Sequence, residues 1–157
     1  MLVFKVKYWK QPKKLIDPTA IHLFYLQLFQ NIKTGIYKVP SGLALRLAAL
    51  VMQIMYGDYE KSKHKIDYFD EPLIQVLVPE SARKGVPIEY IEQQIFRLHL
   101  SFKGLQKTDA KMKYISEAKR LTTYGVTLYD VVEDGIERRL GIAEDGLLIS
   151  IKNNRVL

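Results

Sequence analysis

Residues 41–57 read SGLALRLAALVMQIMYG, and this stretch decides the fold. Only Arg46 and Gln53 interrupt its run of leucine, alanine, valine, isoleucine and methionine. A helix without a polar face must be covered on every side, and the small alanines let neighbouring helices approach closely. The stretch is also too short to cross a bilayer. It therefore predicts a helix that opens at Pro40-Ser41, ends at Gly57 and lies in the middle of a helical bundle.

Helical signals continue on both sides of this central stretch. Asp17-Pro18 is typical of a helix start, because aspartate caps the first turn and proline fits the first helical position. Residues 73–78 are enclosed by two prolines and can form only a turn or two. Apolar residues at helical spacing and terminal glycines mark the other segments. The predicted helices, with their caps and stops, run from Asp17 to Gly35, over 73–78, from Pro87 to Gly104 and from Thr108 to about Thr123.

The two ends of the chain have strand character instead. Residues 2–9 alternate in the manner of a single strand. Towards the C-terminus the apolar residues recur at every second position, and turn signals stand at Asp134-Gly135 and Asp145-Gly146. This pattern predicts a three-stranded antiparallel meander, with a fourth strand only begun after Asn153-Asn154. Because neither sheet is complete, we expect one whole helical lobe flanked by parts of two neighbours.

No arrangement of residues in the sequence is typical of an enzyme. There is no cysteine, which excludes disulfides, cysteine-ligated metals and thiol nucleophiles. Glycine-rich nucleotide-binding motifs and the common hydrolase motifs are also missing. His22 and His99 fall in helical stripes, where we expect hydrogen-bonded structural residues, and His64 falls in a lysine-rich loop, where we expect it solvated. We therefore predict a soluble intracellular protein that is not an enzyme and binds neither a metal nor a cofactor.

Positive charge is concentrated in the first half of the chain. The sequence holds 24 Lys and Arg against 17 Asp and Glu, a formal net charge of +7. Residues 1–65 hold 11 of the basic side chains and only 3 of the acidic ones. Lys10, Lys13 and Lys14 form a candidate basic patch that would attract a polyanion, either nucleic acid or an anionic membrane leaflet. A solvated linker that keeps the protein soluble is an equal alternative.

The run Leu47-Ala48-Ala49-Leu50-Val51-Met52-Gln53 is followed by Tyr56-Gly57-Asp58-Tyr59. Taken in order with other local patterns of the chain, this run resembles the FERM domain of the ezrin/radixin/moesin and talin group of membrane–cytoskeleton linkers, in which it is similar to the buried helix of the second lobe and its exit. The shared order of the patterns carries the resemblance. The other stretches that contribute are 4–9, 17–27, 32–35, His64-Lys65, Tyr68-Phe69, 117–121, 124–126, 139–142 and 145–147.

The resemblance implies a mainly α fold, in which an acyl-CoA-binding-protein-like helical bundle is flanked by a single N-terminal strand and a C-terminal antiparallel β-meander. Residues 1–14 would be the end of the ubiquitin-like first lobe and a linker. Residues 15–125 would be the helical second lobe, and residues 126–157 the incomplete start of the PH/PTB-like third lobe. The family forms its peptide groove in later parts of the third lobe, so groove binding to receptor tails is not carried over to this sequence.

In the FERM family, basic residues on the second and third lobes contact acidic phospholipid headgroups. On a helical wheel, Lys113 and Arg120 share a polar face with Glu117, whereas Lys111 and Lys119 flank the apolar arc and could still snorkel outward. A mixed solvated face without a ligand is an equal alternative, because screened surface charges are common. By resemblance to a talin-like basic surface, the membrane- or phosphoinositide-binding residues would be Lys103, Lys107, Lys111, Lys113, Lys119 and Arg120.

The leading hypothesis is a monomeric, non-enzymatic FERM-type adaptor that binds phosphoinositide headgroups. It would link anionic plasma membrane or receptor cytoplasmic tails to the actin cytoskeleton, from the cytoplasmic side of the membrane. One alternative is a regulatory or targeting FERM module of a larger kinase, phosphatase or myosin. A second alternative is a basic helical module for nucleic acid, but only seven of the 24 basic residues are arginine, and we expect no nucleic-acid partner.

Overall fold

The structure, a computed structural model, describes residues 15–65, 67–143 and 146–151. The predicted strand at residues 2–9, the patch of Lys10, Lys13 and Lys14, and the Asn153-Asn154 turn lie outside the described residues. Within those ranges the chain forms six helices and a three-stranded sheet, which confirms the predicted mainly α fold with a small C-terminal sheet. The elements are α1 (Pro18–Lys33), α2 (Ser41–Tyr56), α3 (Glu71–Leu77), α4 (Glu80–Arg83), α5 (Ile88–Leu100), α6 (Lys107–Ala118), β1 (Thr127–Glu133), β2 (Ile136–Ala143) and β3 (Gly146–Ile151).

The apolar helix α2 lies at the centre of the bundle, as its sequence predicts. Its side chains are buried without interruption over residues 47–54, and Leu50 and Met52 are fully enclosed. α5 and α6 both pack against α2, and α1 packs against α6. The small side chains of Ala48 and Ala49 let these neighbours come close, and both residues are fully buried. Within the described ranges, every helix lacks the length or the apolarity needed to cross a membrane.

Local side-chain chemistry explains several helix ends. The Oδ1 atom of Asp17 accepts a hydrogen bond from the backbone N–H of Ala20 at 2.7 Å, so the predicted cap of α1 is confirmed. Asp70 caps α3 in the same way, through the backbone N–H of Leu73 at 2.8 Å. Gly57 ends α2 with a φ of +78°, a left-handed conformation that glycine adopts without a steric penalty.

Both predicted ends of the last helix are wrong. α6 begins at Lys107 rather than after a Thr108 cap, because the extended Gln106 already offers its carbonyl to the amide four residues ahead, at 2.8 Å. The helix stops at Ala118 rather than near Thr123. Beyond that point the amides of residues 120 and 121 bond to carbonyls only three residues back, which tightens the chain into a turn.

The other boundary errors lie at α4 and α5. α5 ends at Leu100, before the predicted stop at Gly104, because the Phe102 amide bonds only three residues back, to the His99 carbonyl at 2.9 Å. The prediction also omitted α4, a single turn that starts directly after Pro79. The predicted turn or two at residues 73–78 corresponds to the seven-residue α3.

The C-terminal strands form an antiparallel sheet in the order β1-β2-β3, which confirms the predicted meander. Asp134-Gly135 joins β1 to β2, and the φ values of 51° and 75° are those of a two-residue hairpin turn. Asp130 and Arg139 pair in register across this hairpin and form a 3.1 Å ion pair. The chain divides into a helical unit that ends at Thr122 and a second unit that begins at Thr123. The lobe boundaries implied by the FERM resemblance stay a prediction.

Candidate functional site

The six predicted membrane-binding residues lie in α6 and in the turns at its two ends. Because α6 packs against both α1 and α2, its basic side chains belong to different local environments. The six are Lys103 in the turn after α5, Lys107, Lys111 and Lys113 in α6, Lys119 at the C-terminal cap of α6, and Arg120 in the turn that follows.

Three basic groups meet where the start of α6 approaches the start of α1, and we call them the α1–α6 basic cluster: His22, Lys107 and Lys111. Lys111 is half-buried; burial lowers its pKa, and the charge of Lys107, one helical turn away, lowers it further. Burial, then Lys111 and then Lys107 also lower the pKa of His22. Among the described residues, none of the three has an acidic partner. The two lysines of the cluster therefore carry positive charge without an acidic partner among the described residues, and the lowered pKa of His22 favours its neutral form.

His22 itself does not have the structural role predicted for it. The buried stripe of α1 runs through Ile21, Tyr25 and Leu28, and His22 falls at its edge with an exposed ring. The ring stacks on Tyr25 with centroids 6.3 Å apart. The apolar stripe indicated by the helical spacing is the face that is buried, and the prediction was wrong because His22 lies outside that stripe.

The opposite flank of α6 carries a group of paired charges centred on Glu117, in which one carboxylate lies between two guanidinium groups. Arg46 Nε lies 2.8 Å from one carboxylate oxygen of Glu117, and an Arg120 nitrogen lies 3.1 Å from the other. Burial opposes ionisation of Glu117, but the hydrogen bonds and charges of these two guanidinium groups outweigh it and hold its pKa below the usual value. Lys113 Nζ lies 5.2 Å from the centre of the Phe102 ring, and the Arg46 guanidinium carbon lies 5.6 Å from the same centre. Sequence reasoning missed Arg46, although a lone arginine within an apolar helix was a usable signal.

Lys103 lies beside a carboxylate of its own. Asp58 Oδ1 accepts hydrogen bonds from the Gln53 amide and from the Gly104 backbone, both at 2.8 Å. These two bonds, that of Gln53 first, lower the pKa of Asp58, and Lys103 contributes in the same direction. The positive charge of Lys103 is therefore partly offset, unlike those of the α1–α6 basic cluster.

Two histidines that lie far apart in the sequence meet between α5 and the loop that follows α2. His64 is only 5% exposed, so its predicted solvation is wrong; its Nδ1 accepts the Glu60 N–H at 2.9 Å, and its ring stacks on Tyr59 with centroids 5.2 Å apart. His99 is fully buried, as a structural residue should be, with Nε2 2.8 Å from the Gly57 carbonyl oxygen and its ring 5.4 Å from that of His64. Burial is the main cause that lowers the pKa of His99; the bond to Gly57 opposes it, and His64 adds to it.

A buried carboxylate on α5 accepts hydrogen bonds from the same loop. Glu92 on α5 is 2% exposed, and its two oxygens accept the backbone N–H groups of Asp67 and Phe69, each at 3.0 Å. Asp67 holds a left-handed φ of +67°, which a residue other than glycine adopts only when its surroundings favour it. Sequence reasoning did not single out Glu92, although its position between Ile91 and Ile95 on the buried side of α5 was a signal. The loop between α2 and α3 is thus fastened to α5 by hydrogen bonds.

The histidine pair does not extend into a metal site. In the described part of the chain, no three His, Asp or Glu side chains gather closely enough to hold a metal ion. A protein zinc site uses at least three side-chain ligands. His64 and His99 each direct one ring nitrogen at a backbone group, so the pair acts in the packing of the loop.

Known proteins share both the sequence pattern and the fold of this chain. The pattern of the FERM central domain matches residues 10–129, most of the chain. The chain belongs to the FERM family. This FERM chain is 38% identical over 160 residues to FERM domain-containing protein C of Dictyostelium discoideum, covering 97% of the chain and 11% of that protein. It is 27% identical over 159 residues to human tyrosine-protein phosphatase non-receptor type 13, covering 99% of the chain and 6% of that protein.

A solved structure shares the fold at lower identity. The complex of the FERM and C-terminal domains of Drosophila Merlin superposes with a TM-score of 0.74 and 21% sequence identity, over 92% of this chain and 48% of that chain. The FERM chain therefore spans about half of the Merlin chain, and much less of the two relatives above. The predicted FERM membership and the predicted fold class are confirmed.

Proposed function

We propose that this FERM chain is a non-enzymatic module that attaches a longer protein to the anionic inner face of the plasma membrane. The observation that carries the proposal is the α1–α6 basic cluster, where α1 packs against α6 and neither Lys107 nor Lys111 has an acidic partner among the described residues. The charge of Lys107 disfavours the charged form of the half-buried Lys111. Phosphate oxygens of a phosphoinositide headgroup would relieve that repulsion.

The other basic residues around α6 contribute unequally to such an attachment. A Lys or Arg close to an anionic leaflet contributes about 1 kcal/mol. Arg120 shares its charge with Glu117, and Lys103 lies beside Asp58, so we expect less from both. The attachment would weaken at high salt, since the Debye length falls to about 3 Å at 1 M. Lys10, Lys13 and Lys14 would add a secondary basic patch.

Membrane attachment would let the module connect two kinds of partner. On this proposal it holds cytoplasmic tails of membrane proteins, or actin-linked proteins, at the inner face of the plasma membrane, and it does so as a cytoplasmic monomer. The proposal is supported by membership of the FERM family and by the Merlin structure, in which a FERM domain is in complex with a C-terminal domain.

Vesicle sedimentation tests the proposal with a matched pair of variants. The double variant Lys107→Gln/Lys111→Gln removes about 2 kcal/mol of attraction, which corresponds to about thirtyfold weaker binding to vesicles that contain phosphoinositides. The control variant Lys38→Gln/Lys84→Gln removes two exposed lysines from elsewhere on the helical unit and should bind like the unmodified chain. The proposal fails if phosphoinositide vesicles sediment no more protein than neutral vesicles at low salt, or if both variants lose binding equally.

A second candidate is a targeting module within a larger phosphatase. The match to human tyrosine-protein phosphatase non-receptor type 13 favours it, since the chain aligns over nearly its whole length with 6% of that enzyme. The full-length transcript tests this candidate. A phosphatase domain encoded on the same transcript would support it, and a transcript without one would exclude it.

A further inference from the structure

A groove on the helical unit, whose lining includes none of the six predicted membrane-binding residues, combines an apolar floor with a basic rim. It is an open cavity of about 680 Å³ between α5 and the loop that joins α2 to α3. Its lining residues are Tyr59, Lys61, His64 and Lys65 from the loop and Gln93, Phe96, Arg97 and Leu100 from α5. None of these lining residues belongs to the α1–α6 basic cluster.

The floor of the groove is aromatic and aliphatic. The rings of Tyr59 and Phe96 lie 5.6 Å apart, and the His64 ring lies 5.6 Å from Phe96. Leu100 lines the groove together with these rings, and 53% of its surface is exposed. An apolar side chain from a partner would cover this surface and remove it from water.

The rim of the groove is positive. Lys61, Lys65 and Arg97 are exposed, and none of them forms an ion pair in the described part of the chain. Lys63 in the same loop differs, because its Nζ lies 2.7 Å from a carboxylate oxygen of Glu60. Three unpaired cations therefore surround an apolar floor, and the lining includes no acidic side chain.

The walls of the groove are held in place before any partner arrives. Glu92 fixes the loop through the Asp67 and Phe69 amides, and His99 fixes its start through the Gly57 carbonyl. A preformed site loses less conformational entropy on binding than a mobile one does. A concave site also suits a protruding side chain better than a flat bilayer surface does.

We propose that this groove binds an acidic peptide segment of a partner protein, with one large apolar side chain on the floor and flanking carboxylates at Lys61, Lys65 and Arg97. Charge complementarity identifies the occupant, because carboxylates would pair with the three rim cations and an apolar side chain would remove the floor from water. The contact is separate from the proposed membrane attachment, so either can fail without the other.

Fluorescence anisotropy with the whole 157-residue chain tests the groove. The probe is a fluorescein-labelled peptide in which a Leu-Phe pair is flanked by glutamates. We expect saturable binding that is lost when lysines replace the glutamates, and also when alanines replace the Leu-Phe pair. The proposal is overturned if the probe does not bind at about 1 mM protein, a concentration that detects even weak peptide contacts.

Matched variants assign the binding to the groove. The triple variant Lys61→Gln/Lys65→Gln/Arg97→Gln should bind the probe about tenfold more weakly or worse, since each exposed ion pair with a peptide carboxylate contributes up to about 1 kcal/mol. Leu100→Asp should weaken it at least as much, and the exposed positions of all four side chains should leave thermal unfolding unchanged. The control Lys33→Gln/Lys38→Gln/Lys84→Gln removes the same charge from another exposed region. The proposal is overturned if the control variant weakens binding of the probe equally. It is also overturned if the groove triple variant no longer binds phosphoinositide vesicles but still binds the peptide, because the occupant of the groove would then be a membrane.

Discussion

Glu92→Gln is the substitution that most directly tests how the loop between α2 and α3 is held. The carboxylate of Glu92 accepts two backbone N–H groups, each at 3.0 Å, from a position only 2% exposed. A hydrogen bond to a charged group contributes about 1.5–3 kcal/mol, more than a neutral one. Glutamine keeps one oxygen for one amide but turns an NH₂ group towards the other. We therefore expect a loss of about 2–4 kcal/mol from the free energy of unfolding, out of a typical total of about 5–15 kcal/mol.

Urea denaturation followed by circular dichroism measures this loss. The control is Glu89→Gln, which removes an exposed carboxylate from the same helix and should change the free energy of unfolding by no more than about 0.5–1 kcal/mol. Hydrogen exchange at the Asp67 and Phe69 amides adds a local readout, since both should lose protection in Glu92→Gln. If Glu92→Gln unfolds like Glu89→Gln and both amides stay protected, the reasoning about the buried carboxylate is refuted.

Three further predictions concern the core, a histidine and a helix cap. Leu50→Ala, at a fully buried position in α2, should cost about 2–5 kcal/mol in thermal or urea unfolding, whereas Leu26→Ala, 42% exposed, should cost less than about 1 kcal/mol. The pKa of His99 is lowered in the folded chain, so as the pH falls the unfolded chain binds a proton at this residue before the folded chain does. The free energy of unfolding should therefore be at its full value above about pH 6.5 and should fall as the pH drops below it. His99→Gln should flatten that decrease in a plot of the urea midpoint against pH. Asp17→Ala should cost about 1 kcal/mol in urea unfolding, and Asp17→Asn, which keeps the capping oxygen, should cost less than half as much.

Features that depend on near neighbours in the sequence could be predicted. The Asp17 cap involves an amide three residues away, and the Asp134-Gly135 turn involves adjacent residues only. The central position of α2 follows from its lack of a polar face, which is itself a property of one continuous stretch. These signals, taken in order, also carried the correct FERM resemblance.

Features that depend on backbone geometry at helix ends were less accessible. α6 begins at an extended Gln106 without a side-chain cap, so the more favourable capping residue, Thr108, misled the prediction. His64 was expected in solvent because lysines surround it in the sequence. It is buried because Tyr59, Phe96 and His99 enclose its ring in three dimensions.

The sequence alone determined the apolar central helix and the C-terminal meander, since both follow from local spacing and local turn signals, and the order of its patterns carried the FERM resemblance. Only the tertiary structure decided which of the described charges are paired and which are not. Arg46 reaches Glu117 across 71 positions of sequence, and Glu92 reaches amides 25 and 23 positions away. The net charge of a surface depends on such contacts between distant residues, and a list of lysines in sequence order does not contain them.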